Sequence, residues 1–294
     1  MEKLLPGVAS PTLAQVRLAL RDALREKYGE REAAAMARLI LMNLKGWDLS
    51  HLMADEDREA SDYIVGKSQD ILNSLLEDMP LQYALGETTF YGLKLKVRPG
   101  VLIPRPETEE LVDLIVKENG AKDLRVLDLC TGSGAIALAL ARNLAFADVT
   151  AIDVSADALE VAKENAALLK ADVNIGQADI FEMLLPENSF DIIVSNPPYV
   201  DESEKKDMEA NVLKYEPHVA LFVPDDDPLV FYKVIVKKGM AALKSGGRLY
   251  LEINPRHADD MRRLLAGEGF EDIRVIKDFN GFDRFVEAVK PLVV

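Results

Sequence analysis

The sequence predicts an α/β fold built on a seven-stranded, mostly parallel sheet, preceded by a small helical bundle and joined to it by a β-hairpin. Three observations predict it. The first 86 residues carry apolar side chains at helical spacing; residues 88–103 alternate with period two; and from about residue 107 strand-like apolar runs alternate with helical segments, the pattern of a parallel sheet covered on both faces. A chain of 294 residues exceeds one typical domain. The division expected is a helical domain over 1–86, a hairpin linker over 87–105 and an α/β domain over 106–294.

Each element has its own signal. Ser10-Pro11 reads as an N-cap followed by proline at the first helical position, ahead of Leu13, Val16, Leu20 and Leu24. A second helix is expected over 31–43; Gly46 and Asp48 interrupt, and a third covers about 56–77 with Ile64, Val65, Ile71, Leu72, Leu75 and Leu76 as its stripe. In the hairpin, Leu93, Leu95 and Val97 alternate with Lys94, Lys96 and Arg98, and Pro99-Gly100 turns the chain into Val101–Ile103. That basic face reads as a solvated strand face or as a surface that meets a substrate. Beyond a helix near 107–117, strands are expected at 125–129, 149–153, 172–176, 191–195, 248–253, 273–276 and 285–289. The last two are separated only by a short stretch around Asn280-Gly281, too little for a helical crossover, so they should pair antiparallel.

Composition narrows the function. Apolar residues at 49% and charged residues at 29% are those of a soluble globular protein. No run is long enough to span a bilayer and the start lacks a signal-peptide pattern, so no membrane association and a cytoplasmic location are expected. The single cysteine, Cys130, excludes an intrachain disulfide and a multi-cysteine zinc site, and three scattered histidines offer no ligand spacing, so no metal is expected. A formal net charge of −15 argues against nucleic-acid binding, which depends on Lys and Arg neutralising phosphates.

The chemistry gathers at strand ends. The first strand of the α/β domain runs into Asp128-Leu-Cys130-Thr131-Gly132-Ser133-Gly134, and a helix follows at once. Such a turn lets the backbone approach a ligand closely while free N–H groups face it. By itself it could also be a tight turn or a dinucleotide site. The second strand ends at Asp153, where a carboxylate can accept from both ribose hydroxyls or serve the next helix as a cap. After the third comes Asp179-Ile180, an acceptor and an apolar side chain that could face a ligand or be a loop aspartate beside buried apolar neighbours. The most specific signal is Asn196-Pro197-Pro198-Tyr199 after the fourth strand. Two prolines fix φ and remove two N–H donors, so the Pro197 carbonyl and the Asn196 side-chain oxygen can hold both protons of a planar –NH2 group while Tyr199 stacks on its face. The nitrogen lone pair is then aimed at an electrophilic carbon.

These motifs, with Pro80-Leu-Gln82-Tyr83-Ala-Leu-Gly86, Leu102-Ile-Pro104-Arg105-Pro106-Glu107-Thr108-Glu109, Glu216-Pro217 and the run from Asp278 to Arg284, resemble the peptide chain release factor glutamine methyltransferases over nearly the whole chain. The resemblance implies a Rossmann-like class I S-adenosylmethionine-dependent methyltransferase fold whose last strand is antiparallel. It also implies S-adenosylmethionine contacts from Cys130, Thr131, Gly132, Ser133, Gly134, Asp153, Asp179, Ile180 and Asn196. Asn196, Pro197, Pro198 and Tyr199 would hold the substrate, with Asn196, Pro197 and Tyr199 catalytic, and the partner would be a bacterial class I release factor methylated at the N5 of its Gly-Gly-Gln glutamine. Cys130 stands where the family has glycine, acceptable if its φ stays negative. The competing readings are a DNA or RNA exocyclic-amine methyltransferase, which shares the Asn-Pro-Pro-Tyr logic; a nicotinamide-dependent oxidoreductase, which leaves that motif unexplained; and a non-catalytic module on the same fold.

Overall fold

The computed structural model describes residues 4–292. The chain divides into two compact units, one comprising Met1–Gly86 and Ala210–Tyr215, the other Glu87–Glu209 and Glu216–Val294.

In the first unit, α1 (Leu13–Tyr28), α2 (Glu30–Lys45), α3 (Leu49–Ala54), α4 (Asp62–Leu76) and α5 (Leu81–Leu85) bury a common apolar core. The N-cap of α1 is Thr12, not Ser10: Thr12 and Gln15 form a reciprocal capping box. Residues 56–60 are not helical as expected but serve the start of α1, since the Leu13 and Ala14 N–H groups, orphaned by the helix geometry, donate to the carbonyls of Arg58 and Glu56. Ser61 then caps α4, and Asp48 caps the short α3, which lies where only an interruption was expected. The segment Ala210–Tyr215 joins this unit through Lys214 Nζ and Tyr215 OH, both donating to the carbonyl of Glu77 at 2.7 and 2.8 Å.

The second unit opens with β1 (Glu87–Phe90) and β2 (Leu93–Lys96), an antiparallel pair. Its turn is Tyr91-Gly92, both with positive φ, as a two-residue hairpin requires. Pro99-Gly100 does form a turn, closed by the Val101 N–H on the Arg98 carbonyl, but Val101–Ile103 is not a strand. The basic face is neutralised within the unit: Lys94 pairs with Glu87, Lys96 with Glu164, and Arg98 with Glu160 and Glu164.

There follow α6 (Pro106–Glu118), β3 (Arg125–Leu129), α7 (Ala135–Asn143), β4 (Asp148–Asp153), α8 (Ala156–Leu169), β5 (Asn174–Gln177), β6 (Phe190–Ser195), β7 (Val200–Asp201), the short α9 (Ala210–Tyr215) already described, β8 (Phe222–Val223), α10 (Val230–Ala242), β9 (Leu243–Glu252), α11 (Ala258–Gly267), β10 (Glu271–Lys277) and β11 (Asp283–Val289). Seven strands form one sheet in the order β10-β11-β9-β6-β3-β4-β5, with β11 antiparallel to both neighbours and the rest parallel. β3 lies between β4 and β6, so the chain reverses its direction of travel across the sheet there, and the crevice beyond the strand ends is where such folds bind ligands. Alternation along β3 divides the core: Val126 faces a layer with α6 and α7, while Leu127 and Leu129 face one with α10 and α11. Among the described residues no helix is long and apolar enough to cross a membrane.

Candidate active site

Register aligns the chemistry. Leu129 pairs with Ile152 on one side and with Ser195 on the other, so the next residues, Cys130, Asp153 and Asn196, leave the sheet side by side. Ser195 pairs in turn with Leu251, which places Glu252 level with Asn196. Ser195 Oγ locks the arrangement by donating to the Leu129 carbonyl at 2.6 Å.

A cavity of about 260 Å³ opens at these ends, walled by Leu129, Cys130, Gly132, Asp153, Asp179, Ile180, Asn196 and Pro198, with Val101, Leu102, Phe181 and Phe231 completing an apolar lining. A smaller chamber of about 40 Å³ is lined by Leu102, Arg105, Asn196, Pro197, Tyr199, Val200, Ala220 and Leu221. The two share Leu102, Asn196 and Ala220, so Asn196 stands where they meet.

Thr131, Ser133 and Gly134 are not among the residues that line the cavity. They shape the loop from behind. Thr131 Oγ1 donates to Asp128 Oδ2 at 2.6 Å, and the Ala137 N–H reaches the same oxygen at 3.1 Å. Asp128 is fully buried, its Oδ1 has no hydrogen-bond partner, and burial pushes its carboxyl up to about 7. The Ser133 carbonyl accepts from Asn165 Nδ2, whose amide also bonds the backbone of Lys96 in both directions. At Gly134, φ is +82° and an added Cβ would lie 3.2 Å from Ala162 Cβ, so glycine lets α7 start close against α8.

Cys130 corrects an expectation. Its φ is +61°, not negative: the loop keeps the left-handed backbone that glycine would supply and accepts the strain of a side chain there. Burial, with the Asp153 charge beside it, pushes the thiol up to about 12, so it is a neutral wall group and not a nucleophile. Asp153 Oδ2 accepts from the Gly132 N–H at 2.8 Å and Oδ1 from the Ser155 N–H at 2.9 Å; burial raises its pKa against these bonds. Each oxygen keeps a further lone pair for a ligand hydroxyl. Where a Cβ would stand on Gly132 there is open space. Asp179 Oδ1 accepts from the Phe181 N–H, and Lys238 Nζ donates to the carbonyls of Ile180, Phe181 and Met183, pinning the loop that carries Ile180.

Below the Asn-Pro-Pro-Tyr turn lies a buried network around Glu252. Its Oε2 accepts from Thr108 Oγ1 at 2.7 Å and its Oε1 from Tyr199 OH at 3.0 Å. Asn196 Nδ2 donates to Thr108 Oγ1 at 3.3 Å, and Tyr232 OH donates to the Glu252 carbonyl at 2.9 Å. Burial raises the Glu252 pKa against these donors. Burial, then the Glu252 charge, drive the Tyr199 phenol far above its ordinary value, so it stays neutral. Pro197 and Pro198 are buried. The opposite wall is set by Glu216, nearly inaccessible, which accepts from the Ile103 N–H at 3.2 Å and from Arg105 at 2.6 Å. Glu252, Thr108, Asn165 and Phe231 were not singled out from the sequence. Thr108 lay within the run from Leu102 to Glu109 without a role of its own, and Glu252 carried a signal as an acidic residue near the end of an apolar strand at the ligand-binding edge.

The profile described as Methyltransferase small domain matches residues 107–217, and that described as PrmC N-terminal domain matches residues 15–86. A Release factor glutamine methyltransferase of Bacteroides thetaiotaomicron is 45% identical over 270 residues, covering 92% of this chain and 97% of its own. The chain belongs to the release factor glutamine methyltransferase family. Relatives of the same name from Flavobacterium psychrophilum, at 42% identity over 91% of this chain and 95% of theirs, and from Streptococcus pneumoniae, at 39% over 93% and 97%, agree. The crystal structure of a methyltransferase from Pyrococcus furiosus, 18% identical with a TM-score of 0.51, covers 68% of this chain and 90% of its own, and shares the fold. As a member of this family the chain is an S-adenosylmethionine-dependent methyltransferase. The apolar cavity, the Asp153 carboxylate and the open space at Gly132 fit that cofactor.

Proposed function

We propose that this chain methylates the side-chain amide nitrogen (N5) of the glutamine in the Gly-Gly-Gln loop of bacterial class I peptide chain release factors, in the cytoplasm. The observation that carries the reading is Asn196 at the junction of a cofactor-sized cavity and a side-chain-sized chamber. S-adenosylmethionine, when bound, supplies a methyl group made electrophilic by its sulfonium. In the larger cavity Asp153 accepts from the ribose hydroxyls, Asp179 offers an acceptor to the exocyclic amine and Ile180 covers a face of the adenine, while Cys130 and Gly132 form the wall. Thr131, Ser133 and Gly134 hold the shape of that wall.

In the smaller chamber Asn196 Oδ1 and the Pro197 carbonyl accept the two amide protons, Pro198 closes the cofactor side and Tyr199 lies against the flat face of the group. An amide nitrogen is a weak nucleophile because its lone pair is delocalised, so orientation carries much of the rate. A volume of about 40 Å³ holds on the order of three water-sized groups. Two acceptors would repel a glutamate carboxylate, so discrimination against it should be large. We assign recognition of the rest of the release factor to the helical unit.

The test is labelled methyl transfer to an intact release factor, to its Gln→Glu variant and to an isolated loop peptide, read by mass spectrometry of tryptic peptides. Labelling of intact factor alone, or far faster than of peptide, is expected. Equal labelling of the Glu variant, or labelling only of nucleic acid, overturns the reading.

A further inference from the structure

An asparagine amide has two ends of opposite polarity and nearly equal shape, so a site that needs its oxygen must also prevent it from flipping. At Asn196 the fold supplies a means. The Thr108 hydroxyl has one proton, and its neighbour Glu252 offers a carboxylate oxygen, Oε2, at 2.7 Å. A carboxylate only accepts, so the proton is committed there and Thr108 Oγ1 faces Asn196 as an acceptor. The Asn196 atom that meets it, at 3.3 Å, must then be the nitrogen. With Nδ2 tied down, Oδ1 is the end left for a ligand at the junction of the chambers. The other Glu252 oxygen accepts from Tyr199 at 3.0 Å, so one carboxylate sets both the polarity of the asparagine and the position of the ring. Glu252 is itself held by register, level with Asn196 on the neighbouring strand, and is 1% exposed, a burial that is costly without such donors.

We infer that Glu252, acting through Thr108, is a positioning residue that fixes which end of the Asn196 amide faces the substrate; the inference rests on the reading that Asn196 accepts from the glutamine amide. A donor in place of the Glu252 acceptor would free the Thr108 proton to point at Asn196, reverse the amide and present –NH2 to the substrate. The site would then lose its grip on an amide and gain tolerance for a carboxylate.

Thr108→Val keeps the shape and removes the relay; Thr108→Ser restores the hydroxyl. Steady-state methylation of intact release factor should give a kcat at least tenfold lower for the Val variant, recovery to within about threefold for the Ser variant, and S-adenosylmethionine affinity by calorimetry within about twofold of wild type for both. Glu252→Gln, where it folds with the new amide nitrogen facing Thr108, should lower kcat likewise and let the Gln→Glu release factor compete for the site better than it does in wild type. Independently of activity, the Asn196 side-chain amide protons, assigned by their loss in Asn196→Ala, should show nuclear Overhauser contacts to the Thr108 methyl. A Val variant with kcat within twofold of wild type, or missing contacts in the wild-type spectrum, overturns the inference. Near-normal turnover by Asn196→Ala would instead sink the underlying reading, and the amide contacts would still report the orientation.

Discussion

In the helical unit the deeply buried side chains are Leu13, Val16, Leu20, Leu24, Ile40, Leu41 and their like, and among the described residues Ser68 is its one buried polar side chain. The sheet unit instead buries the carboxylates Asp128, Asp201, Glu216, Glu252, Asp278 and Glu287. A buried carboxylate is costly unless donors surround it, so its presence marks a place where the fold must hold something in a definite position. Asp128 holds the glycine loop, Glu216 the Ile103-Arg105 wall and Glu252 the Asn-Pro-Pro-Tyr turn. Asp278 gathers the Asn280 and Phe282 N–H groups and Arg284; burial works against its ionisation, but these donors prevail and keep its carboxyl below the usual range. One unit is held by area, the other by area and by directed bonds.

The sharpest way to break this contrast is to cut into each kind of core. Leu20→Ala should cost about 2–5 kcal/mol of stability through the lost transfer energy and the cavity left behind, measured by denaturant unfolding, and leave S-adenosylmethionine affinity unchanged. An equal loss of cofactor affinity would mean that the two units do not divide the work. Asp153→Ala removes two acceptors for ribose hydroxyls, each worth about 0.5–1.5 kcal/mol, and calorimetry should find affinity lower by roughly tenfold or more; an unchanged affinity would end its assignment.

A subtler test is pH. Asp128, raised to about 7 in the fold and with an ordinary carboxylate value when unfolded, binds its proton more tightly in the native state. Its protonated form therefore favours folding at low pH, and that contribution is lost as pH rises through about 4 to 7. Asn in its place does not titrate. The melting temperature of Asp128→Asn minus that of wild type should increase between pH 4 and pH 8, and a difference that stays constant would mean the buried carboxyl is not raised. The smallest expected effect is at Cys130. Both Cys130→Gly and Cys130→Ala lose the thiol, but only Ala keeps the left-handed strain, so the Gly variant should be more stable than the Ala variant by about 1 kcal/mol. Equal stability in urea titrations would show the loop to be unstrained.

The sequence by itself determined the α/β class, the apolar strands of the sheet, the antiparallel return of β11 and the residues at the strand ends, because period-two and period-3.6 patterns, turn residues and the Asn-Pro-Pro-Tyr run are local signals. Boundaries drifted where a partner far along the chain decided them: α4 starts at Asp62 because residues 56–60 are spent on α1, and β5 starts at Asn174, two residues later than its apolar pattern indicates. Cys130, Gly132, Asp153, Asp179, Ile180, Asn196 and Pro198 were legible and do meet at one cavity. What only the tertiary structure decided was polarity and facing: that Thr131 and Ser133 turn inward, that Cys130 takes a positive φ, and that Thr108, Asn196 and Glu252, separated by as many as 144 positions, share one hydrogen-bond chain. Such contacts leave no periodic trace, because strand register and not sequence spacing brings their donors and acceptors within reach.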